Sequence, residues 1–338
     1  MQAFWAVLFV IIAGVINGSF ALFSKHVPKW RFENIWLNYA LWAFLLLPWL
    51  SLYLMSPHAF SVYGHIPGHL WLVILIGGII FGLGQVCFAL AMRWIGIGLG
   101  FVINIGLGTG LGFFLPLVIQ HVNEIWTPFG IATLIGTLCV IVGLLFSYQA
   151  GALRDRQHKE TTSNKSNYIV GVLLAIFAGL SSAGQNLAFS LTHPMQNLAI
   201  EMHVSKLPAA FIMWPGFLTV AFIPYATYMI LLHVKNNSFQ CYRRSGISLY
   251  YLFAIVMAAF WFGSLIFYSK ASQLIGALGP IVAWPLFMVL IILTSNFWGW
   301  YHREWANCNP KVIRLIWAGI IGLVIAVIVL AYSTHLSV

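Results

Sequence analysis

The chain has 338 residues, of which 61% are apolar and 7% charged. A soluble domain carries about 25% charged residues, so a water-facing surface is excluded and lipid is the expected solvent. Sixteen Lys and Arg against six Asp and Glu would suit nucleic acid. The basic residues sit instead in short loops between apolar runs, which points to membrane topology and to the bilayer, not nucleic acid, as partner.

A spanning helix needs about 20 mostly apolar residues. Ten runs qualify in chain order: 4–23, 34–55, 69–92, 97–119, 127–148, 168–190, 207–233, 248–270, 275–299 and 314–334. The first lacks a basic leading segment and a small-residue cleavage site, so it is expected to stay as a span. It carries Asn17 on one helical face with Ala13, Gly14 and Ala21. Run 3 carries Gln85 with Gly78, Gly82 and Ala89, and run 4 carries Asn104 with Gly100 and Gly108. Each amide therefore shares the small-residue side, which faces other helices rather than lipid. Eleven of the thirty glycines fall between 77 and 112. Pairs four apart, such as Gly78/Gly82 and Gly108/Gly112, pack spans 3 and 4 closely.

Run 6 supplies Ser181, Ser182, Gln185 and Asn186. Run 8 places Trp261, Ser264 and Tyr268 on one face at i, i+3 and i+7, and run 9 does the same with Trp284, Met288 and Ser295. Most other tryptophans lie at run ends, where an interfacial belt is the default; Trp298 is one of these. Prolines at 48, 116, 208, 215, 224, 280 and 285 interrupt spans, as buried membrane helices allow.

The connections after runs 1, 3, 5, 7 and 9 hold fourteen of the sixteen basic residues; the opposite side holds only Lys206 and Lys270. Positive loops stay cytoplasmic, so both termini are expected outside the cytoplasm. The polar loop 149–167 separates five runs from five. An odd number per half inverts one half relative to the other, a common transporter plan. Residues 1–150 form the first five-helix repeat, 151–167 a cytoplasmic linker and 168–338 the second repeat. Short matches support this: Ala13-Gly14 with Ala178-Gly179, and Ile95-Gly96 with Ile275-Gly276.

All six acids fall in connections or at run ends, and proton relays usually use intramembrane ionisable groups. Weak proton dependence is therefore expected unless Glu33, at the start of run 2, carries the proton; Lys25, Lys270 and His233 near run ends, and Glu201 and His203 in an outward-side connection, are the other candidates. Cys87, Cys139, Cys241 and Cys308 show no pairing or metal spacing and read as inert thiols. No cofactor or metal is called for, and no cluster of nucleophiles and acids suggests an enzyme.

Several stretches carry a family resemblance: Lys25, Lys29-Trp30, Glu33 and Trp36; Leu47-Pro48-Trp49; FGLGQVCFALAMRWIGIGLG at 81–100; AGALRDR at 150–156; SAG and HPM at 182–184 and 193–195; Phe267-Tyr268 with Trp261 upstream; and Glu304-Trp305. On these the chain resembles the L-rhamnose–proton symporter family, within the drug/metabolite transporter superfamily. The resemblance implies ten spans in the cell (inner) membrane and uptake of a deoxysugar with a proton. Joined to the residue pattern, it gives an all-α secondary transporter for a small, polar, neutral solute. The expected solute contacts are Asn17, Gln85, Asn104, Ser182, Gln185, Asn186, Trp261, Ser264, Tyr268 and Trp284. The alternative is a metabolite or drug exporter on the same fold.

Overall fold

The computed structural model describes residues 1–157, 165–303, 305–306 and 308–337; among them every regular element is a helix. Lys159, Glu160, Glu304 and Val338 lie outside the described residues, as do the side chains of Asp155, Arg156 and Lys165. Ten helical segments are long and apolar enough to cross a membrane. They are span 1 (Gln2–His26), span 2 (Phe32–Met55), span 3 (Gly68–Ile95), span 4 (Leu99–Gln120), span 5 (Pro128–Arg154), span 6 (Tyr168–Glu201), span 7 (Lys206–Asn236), span 8 (Ser248–Ile275), span 9 (Gly279–Tyr301) and span 10 (Pro310–Leu336). Each expected run coincides with one of them. Span 6 runs on past its expected end through a break at Thr192 into a short helix, His193–Glu201.

Local chemistry explains the irregular places. Pro48 cannot donate to the carbonyl one turn back and its ring crowds that carbonyl. The chain just before it widens into a π-helical stretch, Leu41–Leu46, which re-spaces the turns. Span 7 is interrupted at Ile212, between Lys206–Phe211 and Met213–Asn236, with Pro208 and Pro215 on either side. Spans 3 and 4 join through Gly96 at φ 84, and spans 8 and 9 through Gly276 at φ 89. A side chain would strain either backbone, and glycine does not.

The two halves of the chain are interleaved. Span 1 packs on spans 8 and 9, while span 6 packs on spans 3 and 4. The contacts are backbone-close because small residues face them. A Cβ on Gly18 would lie 2.6 Å from Thr294 Cβ, and one on Gly179 would lie 2.7 Å from Leu107 Cβ. Gly84 of span 3 is pressed against Ser181 of span 6, and Gly78 and Gly82 against the Phe217 and Ala221 carbonyls of span 7. Without a hydrophobic drive between helices in lipid, such close approach is what holds them together. Spans 5 and 10 pair along Gly143, Gly319 and Gly322. Span 10 is the least enclosed of the ten and span 9 the most, so the bundle's centre lies around span 9.

Candidate functional site

A cavity of about 340 Å³ lies at that centre, in the size range of small-molecule sites. Seven of the ten residues singled out from the sequence are in its wall: Asn17, Gln85, Asn104, Ser182, Gln185, Trp261 and Trp284. They come from spans 1, 3, 4, 6, 8 and 9, and helical spacing turns each inward. Gln85 sits one turn from both Phe81 and Phe88, which line the same wall. Among the described residues that line the cavity, none carries a charge.

The polar groups divide into two sets. Asn17 Nδ2 donates to Ser264 Oγ at 2.7 Å, and Ser264 in turn donates to the Trp261 carbonyl at 2.6 Å. Ser264 therefore stands behind the wall and sets the positions of two lining residues. Asn186 is fully buried and also outside the wall: its Nδ2 donates to the carbonyls of Gly112 and Pro280, both at 2.8 Å, and its Oδ1 accepts from the Tyr268 hydroxyl. The reason is register. Gln185 and Asn186 are about 100° apart on one helix, so when one faces the cavity the other faces the helix contacts. By contrast Gln85, Asn104, Ser182 and Gln185 have no side-chain hydrogen bond to any described residue. Three amides and a hydroxyl thus offer donors and acceptors to whatever fills the space.

The flat surfaces are also placed. Trp261 packs against Phe44 at 5.1 Å between ring centroids. Trp284 is held by its Nε1, which donates to the Gly108 carbonyl at 2.8 Å. Trp36 of span 2 completes the wall. It was not singled out as a site residue. Its signal was available: it lies one turn beyond Glu33 and so shares that residue's end of span 2. Trp298, expected in the interfacial belt, is half-buried near the end of span 9, with Nε1 donating to Ser19 Oγ of span 1 at 2.8 Å.

The wall extends toward Met92, Phe101 and Ser295, the end of the bundle that carries Arg93 and Arg303. Away from those loops Phe189, Trp214, Tyr268, Trp284 and Phe287 are all buried and in ring contact. The cavity is therefore closed at one end by packed aromatics.

Lys25, Lys270 and Glu33 have different settings. Lys25 is exposed at the end of span 1. Lys270 donates to Gln273 Oε1 at 2.9 Å, and Gln273 donates to the Lys206 carbonyl, so this group lies at the aromatic-closed end. Glu33 is 3% exposed, in the first turn of a helix, where the dipole favours a carboxylate. Its Oε1 accepts from Asn236 Nδ2 at 3.0 Å. Beside it is fully buried His233, whose Nδ1 is 2.7 Å from Ser238 Oγ and whose Nε2 is 3.2 Å from the Tyr242 hydroxyl. Tyr242 donates to the Asn34 carbonyl at 3.0 Å, and Asn34 Nδ2 donates to the Ser238 carbonyl at 3.0 Å. Because the tyrosine proton is committed to Asn34, the Nε2 of His233 must be the donor to Tyr242. Burial pushes the Tyr242 hydroxyl well above the usual tyrosine range, so it stays protonated and carries no coupling charge. Glu33 and His233 are visible in the sequence as titratable groups near span ends, but their joining is not, because Glu33 and Asn34 lie about two hundred residues from their partners Asn236 and Tyr242 in the chain.

Comparison with known proteins bears on these observations. The family model described as L-rhamnose-proton symport protein matches residues 1–334. An L-rhamnose-proton symporter of Yersinia pestis (strain Pestoides F) is 25% identical over 310 residues, covering 89% of this chain and 90% of that protein. One from Citrobacter koseri is 25% identical over 336 residues, covering 96% and 95%. A solved structure, described only as the crystal structure of a protein, superimposes with a TM-score of 0.61 at 14% identity over 96% of both chains, which shows a shared fold.

Proposed function

Because the chain belongs to the L-rhamnose-proton symport protein family, and is thus a multi-pass membrane transporter rather than an enzyme, we propose that it carries L-rhamnose or a closely related monosaccharide together with a proton. One observation carries this reading: a cavity lined by Trp36, Trp261 and Trp284 in which, among the described residues, no wall group is charged and three amides and a hydroxyl have no side-chain hydrogen bond. A monosaccharide ring offers hydroxyls that both donate and accept, and an apolar face that stacks on an aromatic ring. Gln85, Asn104, Ser182, Gln185 and the oxygen of Asn17 take the hydroxyls; Trp261 and Trp284 take the ring face. Asn186, Ser264 and Tyr268 hold those side chains in place.

The proton is assigned to Glu33. It is buried, it is hydrogen-bonded to the opposite half of the chain, and its helix supplies Trp36 to the cavity wall. Lys25, exposed, and Lys270, at the other end, are weaker candidates. The halves are read as inverted repeats about the cavity. Three pairings support that reading: span 1 on spans 8 and 9 against span 6 on spans 3 and 4, Gly96 against Gly276, and span 5 with span 10. With the basic loops in the cytoplasm and both termini outside the inner membrane, the conformation described here faces inward.

Counterflow in proteoliposomes with a panel of sugars, with and without an imposed pH gradient, tests the function. Rhamnose exchange, and accumulation when the outside is acidic, are expected. Exchange of an unrelated solute class without rhamnose would overturn it. Reporters placed after Val338 and near Lys159 test the orientation, and swapped signals would overturn that.

A further inference from the structure

Beside the central cavity lies a second of about 240 Å³, between spans 4, 5 and 9 at the end of the basic loops. Phe101 and Ser295 belong to the walls of both. The chamber therefore adjoins the central cavity on the side away from the aromatic closure.

Two of its wall groups lack what buried groups normally have. Asn296 Nδ2 and Trp305 Nε1 are buried with no hydrogen-bond partner among the described residues. An orphaned buried donor costs about 1–3 kcal/mol, and buried polar atoms are nearly always paired. Two such donors in one chamber mark a place for acceptors from outside the chain. The chamber also offers acceptors. Ser147 and Ser295 give their own protons to the Gly143 and Ile291 carbonyls, at 3.0 and 2.9 Å, which leaves lone pairs on both hydroxyl oxygens. Among the described residues of the wall the one charged group, Arg154, lies over the Trp305 ring at 4.8 Å and is already engaged. Donors and acceptors in one small space, with that cation engaged on a ring, suit a neutral polyhydroxylated molecule better than an anion.

We propose that this chamber is a second, weaker binding site for the transported solute, a staging subsite on the route between the central cavity and the basic-loop side, with Phe101 as the partition. The proposal rests on the sugar reading above. It assigns Asn296 and Trp305 as solute donors, a role distinct from that of Gln85.

Equilibrium binding of radiolabelled L-rhamnose to the purified full chain in detergent tests it. Wild type is expected to bind two molecules per chain with two affinities. Asn296→Leu and Trp305→Phe are expected to weaken the second step by roughly five- to a hundredfold, the range one unmet hydrogen bond produces, and to leave the first within twofold. Leucine suits a membrane helix, and phenylalanine keeps a ring under Arg154, so both variants should fold. Gln85→Leu should do the reverse, removing the tighter step and sparing the weaker. One site in wild type, or two unchanged sites in the Asn296/Trp305 double variant, would overturn the subsite and leave the central reading intact. No binding by wild type at any concentration would overturn the sugar reading itself, and the subsite with it.

Discussion

The two ends of the bundle around the central cavity are held together by different physics. Away from the basic loops, Phe189 stacks on Trp214 at 5.2 Å and 7°, and Tyr268 meets Trp284 edge-on at 5.7 Å and Phe287 at 5.4 Å. The polar atoms there are satisfied inside the protein, Trp214 Nε1 by Ser269 Oγ at 2.7 Å and Trp284 Nε1 by the Gly108 carbonyl. That end is held by packing, which neither a proton nor salt can loosen. At the other end the connection between spans 1 and 2 is tied to the one between spans 7 and 8 by hydrogen bonds. Lys29 donates to the Ser245 carbonyl at 2.8 Å, Arg31 to Asn236 at 2.8 Å and Arg244 to Lys29 at 3.0 Å. Glu33 and His233 are buried beneath these ties. Glu33 at this end is a buried acid hydrogen-bonded across the two connections. The comparison teaches where the proposed coupling can enter: on the reading above, the solute is held in the middle and Glu33 takes the proton at the basic end.

The largest effect is expected in the middle, where neither closure is touched. Gln85→Leu removes an amide with no protein partner from the cavity wall, so it should leave folding and membrane insertion intact. Transport should fall by up to about a hundredfold, the upper range for an unmet hydrogen bond. Uptake by a well-expressed variant measures it, and wild-type kinetics would show that the amide is only structural.

The next effect separates the ends. Glu33→Gln keeps the acceptor for Asn236 and removes the charge. At one proton per sugar, a gradient of one pH unit drives about tenfold accumulation, since one unit is about 1.4 kcal/mol. That accumulation should vanish while counterflow survives. Full accumulation in the variant would move the proton elsewhere, to Lys270 or His233.

How much of this could be read from the sequence follows the same division. The ten spans were legible because lipid imposes length and apolarity on every one. Gln85, Asn17 and Asn104 were legible because an amide beside glycines marks a helix face turned from lipid. Trp36 left a weaker signal, its place one turn beyond Glu33, because a tryptophan near a span end reads by default as part of the interfacial belt. Asn186 and Ser264 were singled out rightly as polar residues within the bundle, yet one position of register decides whether such a group meets solute or another helix. The Glu33 and His233 network was invisible because Asn34, Asn236 and Ser238 come together only when the two connections dock.

A smaller effect distinguishes the two tyrosines. Tyr268→Phe leaves the buried Oδ1 of Asn186 without its donor, so the thermal midpoint should fall by an amount equivalent to about 1–3 kcal/mol, with little change in the half-saturation concentration. Tyr242→Phe should slow transport moderately without moving its pH profile. The sign follows from burial: the folded state raises this hydroxyl's pKa, so its contribution is fully present below the ordinary tyrosine range near pH 10 and is lost only above that. Any pH dependence between 5 and 8 must then come from other groups. A profile shifted by Tyr242→Phe in that window would place this hydroxyl in the proton path.

The smallest effect is expected at Trp298. Its Nε1 donates to Ser19 Oγ at 2.8 Å, while Ser19 also donates to the Val15 carbonyl at 2.7 Å. Trp298→Phe therefore removes a donor from an oxygen that already has a bonded proton, and it keeps an aromatic ring between spans 1 and 9. A net hydrogen bond contributes about 0.5–1.5 kcal/mol. Here the loss is at the low end, because the deprived hydroxyl still donates to the Val15 carbonyl. Uptake kinetics should stay within about twofold of wild type. Trp284→Phe is the matched comparison: its indole also donates a single bond at 2.8 Å, but to the Gly108 carbonyl in full burial and from the cavity wall. It should raise the half-saturation concentration several-fold. Equal effects from the two changes would mean that the cavity does not recognise its solute through the Trp284 ring, and that both tryptophans only hold helices together.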